Sequence, residues 1–237
     1  MPEFTYVGSE LDVFALATNW KRYFSSALRP FVSGEVLEVG AGIGETTRAM
    51  WHPGVRHWVC LEPDARLAER LTDVRLGGEA KPEVIVGVVE TLPAARQFDT
   101  ILYIDVLEHI ADDRAELAAA ARHLRPGGHL VVLSPAFNQL YSPFDEAIGH
   151  HRRYTSGSLS AVFPPQLVPR RRRYLDSVAL LLSLANKLLL RQSMPTRRQI
   201  LFWDRVLVPI ARVIDPLVLH RFGRSVIAVY QAGSSAA

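Results

Sequence analysis

Cysteine and lysine are nearly missing from this chain. The single cysteine, Cys60, rules out an intramolecular disulfide and any cysteine-based zinc site. It falls inside an apolar run, the ordinary place for an inert core thiol. Lysine occurs only at Lys21, Lys81 and Lys187 among 27 basic residues, so arginine carries nearly all the positive charge. There is no internal repeat and no long low-complexity segment; only Ala232 to Ala237 reads as a frayed tail. The N-terminus lacks the basic segment and apolar core of a secretory leader, so a cytoplasmic location is expected.

No apolar run is built to cross a bilayer either. Val178 to Leu190 is apolar apart from Ser183, Asn186 and Lys187. Its length covers about 20 Å of helix, against a hydrocarbon core of about 30 Å. Ile200 to Leu219 is long enough but carries Asp204, Arg205, Arg212 and Asp215. Those four charges would add about 10 kcal/mol to insertion. On a helical wheel they share one quadrant, which makes the segment amphipathic. Three roles for its apolar face stay open: cover for a substrate cavity, a homodimer contact, or a peripheral membrane contact on the inner face.

What is present suits one sizeable α/β core, since 49% of the 237 residues are hydrophobic. Charge is divided unevenly. Residues 1–149 hold 13 Lys and Arg against 21 Asp and Glu, whereas residues 150–237 hold 14 against 3. The basic part is expected to face an acidic or phosphate-bearing partner or a membrane, with plain surface charge as the competing reading.

The run Val36-Leu37-Glu38-Val39-Gly40-Ala41-Gly42-Ile43-Gly44-Glu45 is an apolar strand, a glycine-rich turn and the start of a helix. A doubly wound sheet holds nucleotide-like ligands at such a turn, where glycine lets the backbone approach the ligand. A dinucleotide fingerprint requires G-x-G-x-x-G, but Glu45 stands where its last glycine belongs. Glu38, two residues ahead of Gly40, suits a ligand with positive charge and an amino group. A side chain at Gly42, as in Gly42→Val, is expected to overlap that ligand.

The segment resembles motif I of the class I S-adenosylmethionine-dependent methyltransferases, and four later segments follow in that family's order. Trp58 to Asp64 reads as a second strand ending at Glu62 and Pro63, where an acid accepts the ribose hydroxyls. Glu83 to Glu90 gives a third strand, and the resemblance puts Glu90 and Thr91 beside the adenine. Phe98 to Ile110 contains Asp105-Val106-Leu107-Glu108-His109-Ile110, similar to the family's D-x-L-E-H-I exit from the fourth strand. Leu124 to Pro135 contains Pro126-Gly127-Gly128, similar to its turn into the fifth. The resemblance implies a Rossmann-like, seven-stranded α/β sheet, mostly parallel with the last strand antiparallel. It also implies S-adenosylmethionine as cofactor, held by Glu38, Gly40, Ala41, Gly42, Gly44, Glu62, Pro63, Glu90, Thr91 and Asp105.

One domain over 1–237 is expected, in five parts. Residues 1–33 are an N-terminal helical lid built on Leu11 to Leu28, with packing against the sheet edge as the alternative. Residues 34–135 form the cofactor half, and 136–175 a substrate-side loop, a short helix near Ser158 to Phe163 and a sixth strand from Arg170 to Leu175. Residues 176–223 are a helical insert, and 224–232 the last strand.

Tyr141 to Thr155 follows the fifth strand, at the edge where the reacting methyl is expected. It resembles a D-x-x-x-G-H-x-R-R-Y-T segment found in one group of these enzymes. His150 is the leading candidate base, with Asp145 to orient it and Tyr154 to position a hydroxyl; His109 is the rival base. Tyr141, Arg152 and Arg153 are candidate substrate contacts, arginine being suited to bidentate grip on a carboxylate or phosphate. The competing reading makes the arginines structural partners of acids in the first half. No metal-ligand set is read from the chain.

The expected acceptor is a small molecule, most readily methylated on a hydroxyl oxygen. A membrane-surface enzyme acting on a glycolipid, isoprenoid or other anionic amphiphile is the alternative. A nucleic-acid substrate is disfavoured, because the N/D-P-P-Y/F signature of amino-directed enzymes is missing after the fourth strand. A non-catalytic binding protein is the remaining alternative.

Overall fold

The computed structural model describes residues 6, 8, 10–185 and 194–233. Seven strands form one sheet: β1 (Gly34–Val39), β2 (Val55–Glu62), β3 (Glu83–Val86), β4 (Phe98–Ile104), β5 (Leu124–Pro135), β6 (Val168–Leu175) and β7 (Ser225–Gln231). Their order is β3-β2-β1-β4-β5-β7-β6. Strand β7 alone runs antiparallel, against β5 on one side and β6 on the other. This is the sheet that the sequence predicts.

Strands β1 and β4 sit in the middle and are covered on both faces, which is why they read as nearly unbroken apolar runs. The order of strands reverses between them. The crevice beyond their C-terminal ends is therefore the natural ligand site of the sheet. One face packs Trp20, Phe24, Trp58 and Trp203 against the sheet, and the other packs Phe98, Tyr103, Tyr154 and Phe163.

Helices α3 (Glu45–Met50), α4 (Ala65–Leu71) and α5 (Asp113–Arg122) connect the parallel strands, and α6 (Pro143–Ala147) and α7 (Ser156–Ser160) follow β5. The leading helix is broken into α1 (Leu11–Phe14) and α2 (Thr18–Leu28) rather than continuous. The break frees the carbonyls of Phe14 and Ala15, and Lys21 Nζ donates to both, at 3.1 and 2.7 Å.

The insert comprises α8 (Ser177–Ala185), α9 (Arg197–Phe202), a π-type turn at Trp203–Leu207 and α10 (Val208–Leu217). The part of Val178 to Leu190 beyond residue 185 lies outside the described residues, as does the tail beyond 233. Within the insert, the charged quadrant does not face solvent as a whole. Asp204 and Asp215 are buried, and Val206, Ile210, Val213 and Leu217 are exposed. Asp204 accepts from Trp20 N at 2.9 Å and from Asn19 Nδ2 at 3.1 Å. Asp215 accepts from Tyr23 OH, Asp176 N and both donors of Ser177. These hydrogen bonds turn the acids inward and leave the apolar stripe outside.

Candidate active site

Beyond β1 the chain takes left-handed conformations at Gly40, Gly42 and Gly44, with φ of 64°, 55° and 78°. A Cβ on Gly40 would stand 2.7 Å from Val106 Cγ2, so glycine is required where the turn crosses the end of β4. A Cβ on Gly42 would meet nothing nearer than Leu11, at 3.8 Å. Within the protein, its φ rather than a steric overlap demands glycine. Gly44 turns into α3 and packs on Val74 and Leu71, away from the cavities described below.

Gly42 N donates to Glu62 Oε2 at 2.8 Å, and Asp64 N donates to Glu62 Oε1 at 3.0 Å. Each oxygen keeps a second lone pair. Burial raises the Glu62 pKa while these donors oppose it. Glu62 lines a cavity of about 410 Å³ together with Val39, Gly42, Pro63, Val88 and Glu90. Asp105 and Gly40 border this cavity and a second one of about 210 Å³, whose walls include Ala41 and Ile43. Asp105 has a φ of 54° at the exit of β4. Poor hydration in the cleft pushes its carboxyl up to about 7, against the opposing pull of Arg224, although the residue is exposed to the cavities it borders.

Two further residues expected at the cofactor are engaged within the protein. Glu38 is buried outside the cavities that Glu62, Asp105 and His150 line. Its Oε2 accepts from Thr47 Oγ1 at 2.5 Å and Trp58 Nε1 at 2.8 Å, tying β1 to α3 and β2. Burial raises its pKa to about 7. Thr91 Oγ1 exchanges hydrogen bonds with the backbone of Val88 and secures the turn after β3.

The second cavity is walled by Phe14, Trp20, Lys21 and Phe24 from the N-terminal helices, and Trp20 and Phe24 also pack into the core on that face of the sheet. On its other side lie Glu108, His109, His150, Arg153, Trp203 and Arg224. His150 Nδ1 sits 2.8 Å from Asp145 Oδ1, and its Nε2 stands 3.8 Å from Glu108 Oε1. Asp145 is fully buried and also takes a bidentate pair from Arg153, Nε at 2.8 Å and Nη2 at 2.9 Å. Despite burial, His150 and Arg153 hold its carboxyl well below the usual range. Glu108 Oε1 and Arg153 Nη1 are buried without a hydrogen-bond partner. Burial and the neighbouring acids Asp105 and Asp145 push the Glu108 pKa well up.

His109 stands edge-on to His150, with ring centroids 4.5 Å apart. Burial and the neighbouring histidines lower its pKa to about 3, so it is neutral. One donor atom each from Glu108, His109 and His150 lies within 4.8 Å of the others, and this trio could ligate a divalent metal ion. The sequence does not announce such a group, because 41 positions separate His109 from His150.

Three other expected site residues are paired within the protein. Tyr154 OH donates to Asp113 Oδ2 at 2.7 Å and is buried away from the cavities. Arg152 pairs with the same Asp113 at 2.6 Å and donates to Ala111 O. Tyr141 OH donates to the backbone carbonyl of His150 at 2.7 Å, bracing that residue rather than lining a cavity. Sequence reasoning gave no role to Glu108, Arg224 or Trp203. Glu108 had a signal, its place in the D-x-L-E-H-I run; Arg224 and Trp203 had none.

A third cavity, again of about 210 Å³, shares Phe14, Phe144, Arg153, Trp203 and Arg224 with the second and extends to Leu182 and Phe202. Arg224 lies over the Trp203 ring at 4.6 Å, where the two cavities adjoin.

A family model described as a methyltransferase domain matches residues 13–165. The chain is 32% identical over 145 residues to a ubiquinone biosynthesis O-methyltransferase of Xanthomonas axonopodis pv. citri (strain 306). That match covers 52% of this chain and 59% of the relative, so less than two thirds of the relative's length is spanned. A tRNA U34 carboxymethyltransferase of Methylococcus capsulatus is 30% identical over 115 residues, covering 48% of this chain and 35% of that protein. Among solved structures, a chain from the complex of a Haloferax volcanii methyltransferase activator with a methyltransferase superposes with a TM-score of 0.66. It is 18% identical, and the match covers 98% of this chain and 99% of that one. The N-methyltransferase NodS of Bradyrhizobium japonicum WM9, solved with S-adenosylhomocysteine, superposes with a TM-score of 0.57 at 15% identity, covering 90% and 85%.

Proposed function

Since the chain belongs to the methyltransferase domain family, we propose that it methylates a hydroxyl oxygen of a small organic acceptor, with S-adenosylmethionine as the donor. The donor supplies a methyl group activated by a sulfonium. The residues present fit it. Glu62 would offer its free lone pairs to the ribose hydroxyls and Glu90 would lie beside the adenine, while Gly40 and Asp105 border both this cavity and the second.

The observation that carries the choice of a hydroxyl is the unpartnered Glu108 Oε1 beside His150 Nε2. A buried polar atom without a protein partner is open to a ligand group. A hydroxyl entering the 3.8 Å gap donates its proton toward His150 Nε2 while Glu108 fixes its direction. Asp145 on Nδ1 holds the imidazole in the tautomer whose Nε2 is the acceptor, and stabilises the ring once it has taken the proton. The aromatic walls Phe14, Phe144 and Trp203 exclude water from the reacting groups. Arg153 Nη1 is free to bind an oxygen of the acceptor.

A specific observation favours an amphiphilic acceptor. The apolar third cavity continues the second toward Leu182 and Phe202, which gives a long apolar tail somewhere to lie. A nucleic-acid acceptor is not favoured, because Arg152 and two nitrogens of Arg153 are committed to Asp113 and Asp145. Incubation with tritium-labelled donor and paired acceptors, phenols and alkyl alcohols against their amino analogues, tests the reading. Label is expected in the hydroxyl members; transfer confined to the amines contradicts it.

A further inference from the structure

Nine of the twelve large hydrophobic side chains exposed among the described residues fall between Leu182 and Phe222. Five of them, Phe202, Val206, Ile210, Val213 and Leu217, recur every three or four residues and so form one stripe along α9, the π-type turn and α10. Exposure reaches 67% at Val213 and 77% at Leu217. An unbroken stripe of this kind on a protein surface marks a contact with something apolar.

The stripe is not outward by accident of packing. The opposite side of the same segment is fastened to the body by buried acids, Asp204 to the start of α2 and Asp215 to Tyr23 and the start of α8. Rolling the helix to hide the stripe would break these bonds and strand two buried carboxylates. That cost far exceeds a surface rearrangement.

Charge then selects the partner. Arg197, Arg198, Arg205, Arg212 and Arg221 are exposed around the stripe. The described residues 177–185 and 194–223 contain only two acids, Asp204 and Asp215, and both are buried. A second copy joined through the same face would bring arginine against arginine with no exposed acid of the insert to offset them. A nucleic acid would answer the arginines but not the apolar stripe. An anionic lipid surface answers both, with side chains entering the acyl boundary and guanidinium groups at the headgroups.

We propose that the outward face of the insert, Phe202 to Leu217 with its arginine rim, docks this protein on an anionic bilayer. No helix among the described residues is long and apolar enough to cross a membrane, so the contact lies in the plane of the surface. Leu182 and Phe202 belong both to the exposed apolar set and to the wall of the third cavity. A lipid-borne acceptor therefore passes from the bilayer into the site without crossing water; this last step rests on the amphiphile reading above, whereas the docking does not.

Flotation of the full chain with vesicles tests the proposal, using phosphatidylcholine alone and phosphatidylcholine mixed with phosphatidylglycerol. The protein is expected to float with the anionic vesicles and to be released as salt rises. The Val213→Asp/Leu217→Asp variant should lower its partition at least about tenfold on either vesicle type. Arg205→Glu/Arg221→Glu should lower it on the anionic vesicles only. Both variants should keep wild-type affinity for S-adenosylhomocysteine, which separates lost docking from lost folding and from failure of the methyltransferase reading. Absence of flotation by the wild type overturns the proposal. So does a dimer in light scattering that Val213→Asp/Leu217→Asp converts to a monomer, since the stripe then belongs to self-association.

Discussion

Glu108 Oε1 and His150 Nε2 face each other across 3.8 Å, too far for a hydrogen bond, and the carboxyl oxygen has no other protein partner. The pair is held open from behind: Asp145 fixes His150, and Ser134 donates to the other Glu108 oxygen at 2.9 Å. Replacing His150 by alanine removes the proposed base and alters no residue that lines the cavity of Glu62. Single-turnover rates should fall by about 10²–10⁴-fold, with S-adenosylhomocysteine affinity unchanged in titration. A loss confined to affinity would place His150 outside the chemistry.

Gly40→Ala should impair cofactor binding more than Gly42→Ala. Both place a Cβ at positive φ, which costs about 1–2 kcal/mol. Only the first also drives that carbon into Val106, at 2.7 Å. Titration of the two variants with S-adenosylhomocysteine checks the order, and equal losses would contradict it.

Glu38 predicts a pH dependence of stability. Its pKa is raised from 4.5 to about 7 by burial. The folded chain therefore holds this proton more tightly than the unfolded one, and stability falls as pH rises from about 4.5 to about 7. The loss is about 3 kcal/mol, complete above the folded value. Glu38→Gln has no proton to lose and its amide oxygen still accepts from Thr47 and Trp58. Its Tm relative to wild type should therefore climb between pH 5 and pH 8, as thermal melts across that range will read. A constant difference would mean that Glu38 is ionised in the fold.

Asp215 is the main fastener of the insert, accepting from Tyr23, Ser177 and the backbone of Asp176. Asp215→Ala leaves these buried donors unpaired, at about 3 kcal/mol. For a chain of this size, that lowers Tm by roughly 6–12 °C. A shift within a degree or two in calorimetry would show that the insert is held by its apolar packing alone.

The sheet was legible because each central strand is a nearly unbroken apolar run closed by glycine or an acid, a local signal. The cofactor loop was legible for the same reason. What sequence could not show is which way a face turns. A helical wheel groups Asp204, Arg205, Arg212 and Asp215 correctly, yet the partners that pull two of them inward lie in α2 and at the start of α8. Tyr154 and Arg152 were assigned to chemistry because they neighbour His150 in sequence. Asp113, which binds both, comes from the helix that precedes β5 in the chain. The unpartnered oxygen of Glu108 depends on folding two distant segments together, so no spacing announces it.

The most direct test is calorimetric titration of the purified chain with S-adenosylmethionine, S-adenosylhomocysteine and NAD in parallel. Micromolar binding of both sulfur ligands, weakened by Gly40→Ala, with no binding of NAD, is the predicted result. Binding of NAD, or no binding of either sulfur ligand by folded protein, would contradict the assignment of this cleft.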